Sequence, residues 1–569
     1  MLFTALAGLL LGCATPRPLN LSPLDAILHM EQALQTGSNE NQPFHAAVFY
    51  PFEHALRFPG LLIGIEQSEA DPVRQHFIRD ALIDDALKDM PEFQEMLLEQ
   101  RRVMFISHVL RTAADGQGPM ARPRPCFVYN AYQPDTDFDG RYRADIDNIA
   151  LCRPDASAGN SKPAERPLPT ENYFANGWLA IDRIREYLQW ELTQGGYTDL
   201  ILIVMGWNTL QIEAIANFNS LVDRLQQTAP GRPFRPYVIG VTWPSQWGGN
   251  AAGSWLKAAS LVHKANDADE LGGGWLAALL DHAVYPALKP DKTSSGKPLP
   301  FTVIGHSFGA RATSYAVCRG GILKPPVPLK AANAHEAAEK RPLVDLLVGL
   351  QAAYSLNRYS AKGAGHYEMA YPQDKQGHCA KANRRVFTAS AHDNAAETAS
   401  WFLYGANFPA SMDTYRLFCE ANRLGRPVES VQSLFKHWRA TITPLDQTRM
   451  EADPECPAPA ACSDSACFDY VDASAIMNRP SYGTGGHAHS DIYRTEVARM
   501  IWHFMPDFRE SALKQGGRRP CLTPQTTHQY RLNWKPRRYL IKAANHECIP
   551  WQCVHQDRHT KPAGTGAGG

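Results

Sequence analysis

The chain carries no excess charge of either sign: lysine plus arginine and aspartate plus glutamate number 57 each over 569 residues. With no net field and no local basic run to gather phosphates, nucleic acid is excluded as an expected partner. The 12 cysteines include no CxxC spacing, which weighs against structural zinc and for disulfides. No apolar run reaches the roughly 20 residues that a membrane-spanning helix needs, and no segment repeats another. What is present, 44% apolar and 20% charged residues, suits a folded protein with a large core or two domains.

The first residues, MLFTALAGLLLGCATPRP, have the length of a signal h-region rather than of a membrane span. Leu10-Leu11-Gly12-Cys13 looks like a bacterial lipobox, in which Cys13 is lipidated after export, and residues 1–20 then read as signal and tether. The expected location is the bacterial cell envelope, with a soluble body anchored to a membrane by acyl chains. The segment before the apolar run has no lysine or arginine, which export signals carry, so a buried strand or helix is the competing reading. Export lets cysteines pair, and removal of Cys13 leaves an odd number, so one is expected to stay free. Cys318, on the helix after the candidate nucleophile, is the expected free thiol, acting as a small hydrophobe. Cys456, Cys462 and Cys467 lie close together, as do Cys521, Cys548 and Cys553, and both groups are expected in disulfides.

Residues 21–100 read as an N-terminal helical region, from the spacing of Leu24, Ile27 and Leu28 and of Phe77, Ile78, Leu82, Ile83 and Leu87. Strands are predicted over 103–110 and 126–132, and a Pro, Ser, Ala and Gly-rich loop over 154–169. From Trp178 onward helices alternate with continuous apolar runs: LILIV, YVIGVTW, FTVIG, LVDLLVGL, RRVFTAS and CFDYVDA. Continuous apolar character marks strands covered on both faces, so the fold class is α/β, a mostly parallel sheet flanked by helices, spanning 101–505. Within it, 406–467 reads as an insertion and lid, with helical pattern over 417–438. Residues 506–569 form a cysteine-containing extension with a Gly-rich end expected to be disordered.

The apolar run 300–304 leads into GHSFG (305–309) and then into good helix formers. A strand, sharp turn and helix would strain the central residue, while the flanking glycines remove side chains that would collide, leaving Ser307 as an exposed nucleophile. The bland alternative is a glycine-lined turn with a spectator serine.

With MGWNT (205–209) after LILIV and VTWPS (241–245) after the next strand, GHSFGAR resembles the α/β-hydrolase superfamily, within it a bacterial group of serine hydrolases of ill-defined substrate. The resemblance covers roughly 175–505. It implies an oxyanion hole built from the backbone N–H groups of Trp207 and Phe308. Met205 stands where relatives carry histidine, which bears on the loop's conformation more than on the chemistry. Asn208 is read either as fixing this turn or as a helix N-cap.

The fold places its triad in the order Ser, Asp or Glu, His, each after a strand. LVDLLVGL exits into Gln351 without a carboxylate, and Asp345 lies inside the strand. The next strand exits into Ala391-His392-Asp393, so Asp393 is the expected acid, with helix capping as its alternative role. His392 is read as a turn residue, with a small share as base. Beyond the last strand, GTGGHAHSDIY offers His489 as base, like the family's histidine turn, and His487 as its alternative; Asp491 reads as a helix cap.

A second pattern, Asp135, Asp137 and Asp139 followed by Gly140, has calcium-loop spacing, but position twelve is Ile146, and a solvated acidic turn is the plainer reading. The expectation is therefore a serine hydrolase that cleaves an ester or related acyl bond of a small-molecule or lipid substrate, with no cofactor and no catalytic metal. Its rival is a non-catalytic envelope binding protein that keeps the fold.

Overall fold

Continuous apolar runs become central strands here because helices cover both faces of one sheet. In the computed structural model the strands are β1 (Gly60–Gln67), β2 (Met104–Ala113), β3 (Arg124–Asn130), β4 (Asp199–Val204), β5 (Pro236–Thr242), β6 (Phe301–His306), β7 (Val344–Leu350), β8 (Gln373–Asp374), β9 (Gly377–His378), β10 (Ala382–Ala389), β11 (Leu434–Ile442), β12 (Thr448–Ala452) and β13 (Cys467–Asp472). The structure describes residues 56–67, 104–113, 124–130, 152 and most of 173–505. Cys13, the 135–140 loop, the 154–169 loop and the 506–569 extension lie outside the described residues. The chain divides into two units, Met1–Lys514 and Gln515–Gly569, and every described residue belongs to the first.

Among the described residues eleven strands form one sheet in the order β12-β11-β13-β10-β7-β6-β4-β5-β1-β2-β3, and β8 pairs separately with β9. Neighbours from β1 through β11 all run parallel. Among the described strands of this sheet, only the outer pairs β1/β2, β2/β3 and β11/β12 are antiparallel. The α/β class is as expected from the alternation.

Helices α1 (Tyr173–Gln194), α3 (Phe308–Ser314) and α4 (Met412–Leu424) pack on one face, and α2 (Gln211–Gln227) and α5 (Thr495–Phe504) on the other. β4 shows why: Leu200, Leu202 and Val204 enter the first core while Ile201 and Ile203 enter the second, as the period of two requires. Full burial of each such side chain contributes about 1.5–3 kcal/mol.

Four readings need correction. Gly60–Gln67 lies inside the region read as helical, yet forms β1, because its run GLLIGIEQ pairs with β5 and β2. The helical pattern drawn through Trp438 stops at Leu424, where Gly425 takes a left-handed turn (φ 61°), the usual glycine stop. Beyond it, β11 and β12 add to the sheet edge, so the described part of 406–467 extends the sheet and does not form a lid over it.

Cys318 is the fourth. It is not free but bonded to Cys379, since the π-helical turn Tyr315–Arg319 carries it to the β8–β9 hairpin. Cys126–Cys152 and Cys419–Cys456 are further disulfides, and Cys467 is also disulfide-bonded. Cys456 thus pairs outside its sequence cluster. Among the described residues no helix is long and apolar enough to cross a membrane, and no group of three or more His, Cys, Asp or Glu is arranged to hold a metal ion.

Candidate functional site

β5 lies on one side of β4 and β6 on the other. At such a reversal the loops leaving two adjacent parallel strands diverge, opening a crevice at their carboxyl ends. The loops leaving β4 and β6 are those that carry MGWNT and Ser307.

Ser307 caps the start of α3 with φ 54° and ψ −122°, a conformation that costs a non-glycine residue about 1–3 kcal/mol. The neighbourhood holds it there. Ser307 N–H donates to the Leu350 carbonyl at 3.0 Å, and its own carbonyl accepts from Ala310 and Ala353 at 3.0 and 3.3 Å. The flanking glycines are sterically required, as the elbow reading expected. A Cβ on Gly309 would lie 2.6 Å from the Met205 carbonyl oxygen and nearer still to that of Val204, and one on Gly305 would strike Ala310.

The MGWNT turn meets Ser307 through Gly206, where a Cβ would stand 2.5 Å from Ser307 Cβ. The turn is anchored by the VTWPS segment. Trp243 Nε1–H donates to the Met205 carbonyl at 2.8 Å, and Ser245 Oγ bonds the N–H and carbonyl of Thr209 at 3.0 and 2.7 Å. Tyr493 O–H reaches Met205 Sδ at 3.5 Å, so methionine in place of histidine is compatible with an ordered turn. Trp207 is partly buried in this turn and Phe308 is buried at the start of α3; Asn208 lies outside the described residues.

Asp393 leaves β10 with its side chain fully buried. Its Oδ2 accepts from His489 Nδ1–H at 2.7 Å and from Gln351 Nε2–H at 2.9 Å, and its Oδ1 accepts from the Ala395 N–H at 3.1 Å. The capping alternative and the partnership with histidine therefore coexist on different oxygens. Because a carboxylate only accepts, the bond assigns the proton to Nδ1 and leaves Nε2 of neutral His489 as an acceptor. Burial alone lowers the His489 pKa, but the Asp393 charge and hydrogen bond outweigh it and the value is raised.

His306, to which the sequence reading assigned no role, joins the two halves. Its Nε2–H donates to the His489 carbonyl at 2.8 Å, and the two rings lie 5.0 Å apart. Burial, with His489 beside it, pushes its pKa down to about 3, so it stays neutral. Among the described residues no hydrogen bond joins Ser307 Oγ to the His489 ring. Such bonds in a resting site often tighten only when substrate binds.

His392 is exposed in the turn before Asp393, consistent with a turn residue. The side chain of His487 lies outside the described residues. Asp491 does not cap α5, whose N-cap is Arg494; instead it accepts from the Asn478 and Arg479 N–H groups and pairs with Arg494 at 2.7 Å.

No family model and no curated protein matches the chain. A solved structure of an acetylxylan esterase aligns with 36% of this chain and 91% of its own, at 13% identity and a TM-score of 0.18. A score that low carries no weight for fold or chemistry.

Proposed function

We propose that the chain is a serine hydrolase of the α/β-hydrolase type, cleaving an ester or related acyl bond through an acyl-enzyme. The observation that carries this reading is the 2.7 Å Asp393–His489 bond beside a serine held at positive φ between a strand and a helix. Ser307 Oγ attacks the acyl carbon as His489 Nε2 takes its proton, and the oxyanion is held by the N–H groups of Trp207 and Phe308. Collapse expels the leaving group with that proton. Water, deprotonated by the same nitrogen, then releases the acid and restores the serine. Asp393 stabilises the imidazolium in both steps. The residues assigned need neither metal nor organic cofactor.

A fluorophosphonate probe tests this directly. Covalent labelling is expected in the folded wild type and lost in Ser307→Ala, with turnover of an activated ester falling about 10⁴-fold or more in that variant. A folded wild type that takes no serine-dependent label would support the binding-protein rival instead.

The cell envelope is the proposed location, with Cys13 as the lipid attachment point. The disulfides support export, since such bonds persist in oxidising compartments. A Cys13→Ser variant is expected to leave the membrane fraction on cell fractionation; continued membrane partition after export would rule the anchor out.

A further inference from the structure

We infer that Gln351 is a positioning residue of the proposed site, the amide that fixes the Asp393 carboxylate against His489 and locks acid and nucleophile into one rigid unit. It deepens the triad reading and rests on it. Gln351 is fully buried at the exit of β7 and adopts φ 45°, unusual for a residue with a side chain. Its backbone N–H donates to Thr388 Oγ1 at 2.8 Å, and that hydroxyl donates back to Gln351 Oε1 at 3.0 Å. With Oε1 committed to the only proton Thr388 has, the amide cannot flip. Nε2 is left to face the acceptor-only carboxylate, and it donates to Asp393 Oδ2 at 2.9 Å.

The backbone on either side of Gln351 holds the nucleophile. The Leu350 carbonyl accepts from Ser307 N–H, and Ala353 N–H donates to the Ser307 carbonyl. One short turn thus grips the strained serine with its main chain and the acid with its side chain. Ser307 and Asp393 are 86 residues apart in the sequence, and this turn is a direct mechanical link between them. Gln351 and His489 share the same carboxylate oxygen. The Gln351 donor therefore also shields part of the negative charge that His489 feels. Among the described residues, His306 at the end of β6 is a further ionisable group against His489, and burial keeps it neutral.

The test uses the full chain labelled in its histidine rings, with the His489 resonance assigned by its loss in His489→Ala. In Gln351→Met, close in size but without the donor, the His489 pKa measured by NMR is expected to rise by roughly half a unit or more. The acid limb of kcat/KM should move up with it, and kcat should fall roughly tenfold with KM unmoved. Gln351→Glu, nearly isosteric, sets a second carboxyl beside the first; the buried pair keeps one proton, so the introduced acid still donates to Asp393 and should leave the His489 pKa close to the wild-type value. A His489 titration unmoved in folded Gln351→Met, or moved as far in folded Gln351→Glu, overturns the proposal, whatever the probe labels. A moved titration in a protein that never labels would support the positioning role while removing the hydrolase reading.

Discussion

Replacing Asp393 by asparagine is expected to cut turnover roughly 10⁴-fold while the chain stays folded. Asparagine fills the same volume and can still accept from His489 Nδ1–H, but it carries no charge to stabilise the imidazolium formed during acyl transfer. Its amide can also turn to present a donor, which favours the wrong ring tautomer. The pH dependence gives a second readout. His489 works as a base only when neutral, and the Asp393 charge raises its pKa against the opposing effect of burial. Wild-type kcat/KM should therefore be full above that raised value and lost as the pH falls through it. In Asp393→Asn the residual activity should keep its plateau to lower pH, because the group that raised the pKa is gone. Steady-state rates on an activated ester across the pH range, with circular dichroism as the control for folding, decide it. An acid limb that stays in place would assign the observed ionisation to another group.

The largest loss of stability is expected from Asp269→Ala. The buried Asp269 carboxylate accepts paired bonds from two guanidiniums, from Arg311 Nε and Nη2 at 3.0 and 2.6 Å and from Arg358 Nη1 and Nη2 at 2.8 Å each. Both arginines are 1% exposed. Removing the carboxylate takes from two buried cations the anion they share; the Tyr354 and Tyr371 rings lie 5.8 and 5.7 Å from Arg358. Breaking a buried pair in this way costs about 3–5 kcal/mol, against a total of about 5–15 kcal/mol for a typical domain. Burial raises the Asp269 pKa, but the two arginines more than offset it and hold it at about 2. Its folded value is thus depressed, so its contribution is complete above the ordinary carboxylate range and fades as the pH falls from about 4 towards 2. Denaturant midpoints of wild type and Asp269→Asn should converge over that interval; a constant gap would refute the charge-based account. The effect should reach the site, because Arg311 is on α3 behind Ser307 and Arg358 follows the β7 turn that holds Ser307.

The central strands, the strand, turn and helix around Ser307 and the Asp393–His489 hydrogen bond were legible because each starts from a local signal: a continuous apolar run, a pair of glycines, a polar residue just past a strand. β1 was not, since GLLIGIEQ pairs with β5, whose partner residues are far along the chain, and its flanks carried a helical spacing. β11 was missed because Trp438 extended the period of α4 across Gly425, the residue that ends it. Cys318 looked free when counted by parity, but pairing is set by spatial neighbours, and Cys379 reaches it through a small hairpin. Gln351 escaped a search for carboxylates because it has no charge, and its left-handed backbone leaves no mark in the sequence. Gly206 was visible within MGWNT, but that its missing side chain makes room for Ser307 needed the sheet order to be known.

The Cys318–Cys379 bond has a consequence for the integrity of the chain. It joins the end of the helical run that begins at Ser307 to the hairpin preceding β10, with a sequence separation of 61. β7 and the turn through Gln351 lie inside that covalent ring. A single peptide break anywhere in the ring therefore yields two pieces that remain one molecule, with Ser307 on the first and Asp393 and His489 on the second. In a reducing compartment the same break would leave only packing to hold the serine and its partners together.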